Sequence, residues 1–93
     1  MRIVWYPLAL DDLEHLRSYI AADAPAVAGI VAQRIMHTIE TIAEFPERGR
    51  PGRVPGTREV VIPRTPFLVA YRLSEDRFEV LRILHGARRW PML

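Results

Sequence analysis

The sequence predicts a small α+β domain in which a helical hairpin packs on one face of a mainly antiparallel sheet. Three observations carry that prediction. A strand-like run opens the chain, two stretches of helical periodicity follow, and three further strand-like runs separated by short turns come last. The chain has 93 residues, 49% of them apolar and 26% charged. At this size folding buries roughly 60 to 70% of the unfolded surface, enough for one core, so residues 1–93 are expected to form a single domain.

Residues 2 to 6, Arg-Ile-Val-Trp-Tyr, read as a short strand because β-branched and aromatic side chains dominate, and Pro7 stops it. Pro7 also suits the first turn of a helix. That helix is expected to reach Ala22, with Leu13, Leu16 and Ile20 on its apolar side and Asp11, Asp12, Glu14 and Arg17 on the rest of its surface. Asp23-Ala24-Pro25 interrupts the pattern, with Asp23 as the expected cap of the next helix and Pro25 in its first turn. The second helix is expected to run to Phe45, since Ala28, Val31, Ile35, Ile39 and Ile42 step by three or four along one stripe. Residues 46–57 hold three prolines and three glycines and read as loop, with Arg48, Arg50 and Arg53 on backbone poorly suited to pairing. The three remaining strands are expected at Arg58–Ile62, Phe67–Leu73 and Arg77–His85, the last two joined by a tight hairpin at Ser74-Glu75-Asp76.

Strict alternation puts Phe67, Val69, Tyr71 and Leu73 on one face and Leu68, Ala70 and Arg72 on the other. In the last strand it sets Phe78, Val80, Arg82 and Leu84 against Glu79, Leu81, Ile83 and His85. Two helices can cover one face. The second face is expected to stay apolar, studded with Arg72 and Arg82, and to need a partner.

Charge is laid out unevenly. Residues 1–47 hold three arginines against seven acids, a balance of −4, whereas residues 48–93 hold ten arginines against four acids, a balance of +6. All thirteen basic residues are arginine, a side chain suited to bidentate pairing with carboxylate or phosphate and also the common product of a GC-rich genome. Zero cysteines exclude disulfides, thiolate metal sites and a cysteine nucleophile. No apolar run approaches the roughly 20 residues of a membrane span, and Asp11 and Asp12 come too early for a secretory leader, so a cytoplasmic protein without membrane contact is the default expectation.

Most catalytic arrangements can be set aside. Ser18 and Ser74, the two serines, lack a glycine-flanked elbow, and no Gly-rich strand-to-helix loop offers a nucleotide cradle. Asp11 and His15 lie one helical turn apart without a third ligand and read as an exposed pair, as His37 reads as a polar-face residue. No metal or other cofactor is expected. What remains is Arg50, Arg53, Arg72 and Arg82 together with His85, Arg88, Arg89 and Trp90. Those arginines could grip a phosphodiester while His85 protonates a leaving oxygen. Equally, they could pair with an acidic protein while Trp90 pins the tail to the core. No base complementary to His85 is evident, which leaves the catalytic trio Arg72, Arg82 and His85 as the alternative to a partner-binding set.

The stretches Gly49-Arg50-Pro51-Gly52, Gly56-Thr57-Arg58-Glu59-Val60-Val61, Tyr71-Arg72 and Val80-Leu81-Arg82-Ile83-Leu84-His85-Gly86-Ala87-Arg88-Arg89-Trp90 closely resemble toxins of the RelE/ParE superfamily, nearest the ParE branch. The likeness runs over essentially the whole chain and includes the order strand, helix, helix, three strands. It implies a type II toxin neutralised by an acidic, ParD-like antitoxin in a hetero-oligomer, with the antitoxin's C-terminal segment lying along the hairpin and the sheet edge. It also implies one of two targets. RelE-like members cut messenger RNA on the ribosome with basic sheet residues and a tyrosine or histidine near the C-terminus, whereas ParE-like members poison DNA gyrase. Here no tyrosine follows Tyr71, lysine is absent, and Phe67 stands where cleaving relatives tend to carry an arginine. The resemblance therefore favours a gyrase-directed protein inhibitor. Ribosome-dependent cleavage and a plain nucleic-acid-binding module are the alternatives.

Overall fold

The structure is a computed structural model and describes residues 1–86. In chain order it holds β1 (Arg2–Trp5), α1 (Pro7–Ala21), α2 (Pro25–Glu44), a 3-10 turn (Pro46–Arg48), β2 (Arg50–Pro51), β3 (Arg58–Val61), β4 (Phe67–Ser74) and β5 (Arg77–His85). The strands form one mixed sheet in the order β1-β5-β4-β3-β2, with β1 parallel to β5 and every other neighbour antiparallel. The α+β class and the helical hairpin are as expected. The sheet has one strand more than the sequence suggested, because Arg50 and Pro51 pair with Glu59 and Arg58 and so turn part of the supposed loop into an edge strand. Proline is tolerated at such an edge, where its missing N–H faces outward.

Both helices start on proline at their first turn, as the sequence required. Asp23 does not cap α2: the cap position is Ala24, and the N–H groups of Asp23 and Ala24 both return to the carbonyl of Ile20, closing the turn without a side chain. The apolar stripe of α2 is buried along its length at Ala28, Val31, Ile35, Ile39 and Ile42. It meets Val69, Tyr71, Phe78, Val80 and Ile83 of the sheet, with Leu13, Leu16 and Ile20 of α1 packed alongside. Tyr71 stacks on Phe78 at 4.4 Å between ring centroids.

A bulge in β5 changes which side chains share a face. Tyr71 pairs with Val80 and Ala70 with Arg82, so Leu81 is the extra residue. Past it, Ile83 turns to the helices, while Arg82 and Leu84 join their cross-strand partners Ala70 and Leu68 on the far face. The set Phe78, Val80, Arg82 and Leu84 inferred from strict alternation is thus split between faces.

The expected open second face is also corrected. Leu68, Ala70 and Leu84 are at most 2% exposed, although they stand outside the helix-facing core. The 52–57 turn lies on this side of the sheet: the Arg53 N–H donates to Glu59, which pairs across the sheet with Ala70, and the Arg53 guanidinium reaches the Gly86 carbonyl. The chain therefore closes much of the surface that two helices leave uncovered. No helix among the described residues is long and apolar enough to cross a membrane.

Candidate functional site

Three carboxylates, each set in or beside the sheet, organise the arginines that the sequence singled out. Glu59 of β3 is 2% exposed and accepts from Arg50 Nη2 at 3.2 Å and from the Arg53 N–H at 2.9 Å, with Arg53 Nε at 3.7 Å. Glu79 of β5 takes Arg72 Nε at 2.9 Å and Arg77 Nη2 at 3.2 Å, and accepts the Tyr6 hydroxyl at 3.1 Å. Arg72 Nη2 in turn donates to that hydroxyl at 2.6 Å. The hydrogen bond from Arg72 holds the Glu79 carboxyl below the usual carboxylate range despite its burial, and the same bond raises the guanidinium's pKa.

Arg82 forms a fork with Asp12 of α1, Nε to Oδ2 at 2.7 Å and Nη2 to Oδ1 at 2.9 Å, which raises the Arg82 pKa. Asp12 Oδ2 also accepts the N–H of Ile83 at 3.0 Å. That N–H lies beyond the end of β1, whose last paired residue is Trp5 opposite Val80. Asp12 thus caps part of the β5 edge and draws the arginine round it.

Arg50, Arg53, Arg72 and Arg82 are therefore distributed over three separate carboxylates rather than converging on a common phosphate position. His85 is exposed at the end of β5 and edge-to-face with Phe67 at 6.0 Å, beside the Gly86 carbonyl that Arg53 reaches. Arg88, Arg89 and Trp90 lie outside the described residues. Sequence reasoning missed the partners rather than the arginines. Glu59 and Glu79 each interrupt an apolar strand run, a signal that a buried carboxylate needs a cation beside it. Asp12 carried no comparable signal, because its role depends on where β1 stops.

Between α1 and the C-terminal end of β5 lies a groove enclosing a cavity of about 550 Å³. Leu16, Ile20, Phe67 and Ile83 supply apolar walls, and His15 and His85 stand at it from opposite sides. The same groove holds Tyr19, 76% exposed despite its size.

Residues 3–90 match the family model described as ParE toxin of type II toxin-antitoxin system, parDE. The chain belongs to the ParE toxin family. It is 39% identical over 92 residues to Y4kP of Sinorhizobium fredii, a protein carrying a toxin designation, with 99% of this chain and 95% of that one covered. It is 34% identical over 87 residues to Toxin RelE2 of Caulobacter vibrioides, covering 94% and 97% of the two chains. Among solved structures, a chain of the chromosomal ParDE system of P. aeruginosa superposes with a TM-score of 0.85 at 26% identity, over 91% of this chain and 95% of its own. The resemblance seen in the sequence is thus confirmed at the level of family and fold. As a ParE-family toxin the chain is the toxin component of a type II toxin-antitoxin system. Its sheet arginines are held by carboxylates of the same fold, and Tyr19, the most exposed large aromatic among the described residues, lies at the α1–β5 groove.

Proposed function

We propose that this ParE-family toxin acts by binding proteins rather than by cutting RNA, with DNA gyrase as its target and an antitoxin segment as its neutralising partner. The observation that carries the reading is the state of the arginines. A metal-free ribonuclease needs cations free to follow charge onto a phosphorane-like transition state. Arg50, Arg53, Arg72 and Arg82 each face a carboxylate at 3.7 Å or less. Each carboxylate offsets part of its arginines' charge and fixes their direction, so they are less able to follow a developing phosphate charge than free cations would be.

The α1–β5 groove supports the partner half of the proposal. An amphipathic antitoxin segment would seat apolar side chains against Leu16, Ile20, Phe67 and Ile83, and its acidic residues would meet His15 and His85 at the walls. A relative named as an antitoxin-linked toxin system supports the same pairing, since the P. aeruginosa neighbour is a ParDE system.

A second reading, ribosome-dependent cleavage, is favoured by His85, whose imidazole is exposed at a strand end, and by the relative named RelE2. One pair of assays separates the two. Purified toxin is added to gyrase supercoiling reactions and, separately, to ribosomes translating a defined message. Loss of supercoiling, unchanged in His85→Ala, is the expected result. Message cleavage that disappears in His85→Ala, with gyrase unaffected, would reverse the ranking.

A further inference from the structure

One cavity on the outer side of the hairpin takes no part in the antitoxin groove or the sheet carboxylates. On α2, Ile30, Arg34 and His37 step by four and three, forming a stripe separate from the buried one. The turn between β3 and β4 comes up beside it, and Arg34, His37 and Gln33 together with Pro63 and Arg64 bound a cavity of about 290 Å³. No carboxylate lines it. Among the described residues neither the Arg34 nor the Arg64 guanidinium makes a hydrogen bond or ion pair, in contrast to those of Arg50, Arg53, Arg72, Arg77 and Arg82.

The turn fixes where Arg64 stands. Its backbone is left-handed, at φ 61°, an uncommon state for a side-chain-bearing residue. Thr65 Oγ1 donates to the Ile62 carbonyl at 3.0 Å and accepts the Phe67 N–H at 3.1 Å, closing the turn on both sides of that position. A β-strand connection thus holds one guanidinium root against a helix that presents another.

We propose that Arg34, His37 and Arg64 form a binding site for a phosphoryl group. Two guanidinium forks and an imidazole offer more donors than a carboxylate's two oxygens can use, whereas a phosphoryl group presents several oxygens and up to two charges. The cavity has room for such a group and opens to solvent, so the group is either a free phosphate or one phosphate of a nucleic-acid backbone. This site stands independently of whether gyrase or the ribosome is the target.

The test follows the arginine Nε–H and backbone amide signals of the full chain by NMR during titration with inorganic phosphate, with acetate at matched ionic strength, and with a short DNA duplex. Phosphate should shift Arg34, His37 and Arg64 saturably while acetate does not. Two variants remove one guanidinium each. Arg64→Gly suits the left-handed backbone and so keeps the fold, and Arg34→Gln keeps the helix; each should weaken phosphate binding about tenfold, the scale of one charge-assisted contact. Duplex shifts at the same residues, lost in both variants, would assign the group to a nucleic-acid backbone. Phosphate shifts without duplex shifts would assign it to a free phosphate. Equal response to acetate, shifts spread evenly over all arginines, or unchanged binding in both variants would overturn the proposal.

Discussion

Asp12 makes three hydrogen bonds with two oxygens, and together they serve two links in the fold. Two fix the Arg82 guanidinium and the third satisfies a strand N–H that β1 is too short to reach. Both side chains of the pair are about one-seventh exposed, 14% for Arg82 and 13% for Asp12. Replacing Asp12 with alanine leaves a largely buried guanidinium and an edge N–H unpaired together. Breaking a fully buried pair costs 3–5 kcal/mol, so with partial solvation a loss of about 2–3 kcal/mol is expected in urea denaturation. Glu79 gives a prediction in pH rather than in energy. Its hydrogen bond from Arg72 depresses the folded-state pKa, so the folded chain binds the proton more weakly than the unfolded one. The stabilisation is complete above the unfolded value of about 4.3 and is lost as pH falls through the lower folded value. Urea midpoints measured downward from neutral pH should drop in that acid window for the wild type. In Glu79→Gln the drop should be shallower, starting from a lower stability at neutral pH.

At the scale of elements, the segment from Pro46 to Thr57 is held to the sheet by side chains of β3 and β4, Tyr71 among them. The Tyr71 hydroxyl donates to the Pro46 carbonyl at 2.6 Å and accepts the Gly49 N–H at 3.0 Å, while burial raises the phenol's pKa. Arg58 adds bonds to the carbonyls of Glu47 and Gly49. Tyr71→Phe orphans the buried Gly49 N–H, an expected cost of about 1–3 kcal/mol, with faster hydrogen exchange at Gly49 than at the core of β4. Gly49→Ala is expected to be worse, because its Cβ would collide with the Tyr71 hydroxyl. This segment also shows where the sequence was legible and where it was not. Helix starts at Pro7 and Pro25, the buried stripe of α2 and the limits of β5 are local properties of periodicity and proline, and they read correctly. The pairing of Arg50 with Glu59 is not local: it forms only because Tyr71 and Arg58 bring a proline-rich stretch against the sheet. The β5 bulge is equally nonlocal, since Leu81 is apolar like its neighbours and nothing in its identity marks it as unpaired. Of the candidate site, the arginines were legible by type; their carboxylate partners depend on register and on where α1 passes the end of β1.

Over the whole molecule, half of the C-terminal arginines are held by carboxylates within the fold. The C-terminal half carries ten arginines against four acids, yet Glu59 and Glu79 each hold two of those arginines and Asp12, from the acidic half, holds a fifth. The net basic character is therefore a poor guide to nucleic-acid affinity. If all ten arginines contacted phosphate, the slope of log binding constant against log salt would approach −9; contacts at Arg34 and Arg64 alone give about −2, and adding Arg88 and Arg89 gives about −4. Binding of the full chain to a short duplex, measured by fluorescence anisotropy from low to moderate salt, is expected to show a slope between those two smaller values. Arg64→Gly should flatten it by about 1, while Arg50→Gln, which removes a cation already committed to Glu59, should leave it nearly unchanged. A slope near −9 would mean that phosphate outcompetes the internal carboxylates. The same result would restore the arginines of the sheet as a phosphate-gripping set and return ribosome-dependent cleavage to first place over gyrase inhibition.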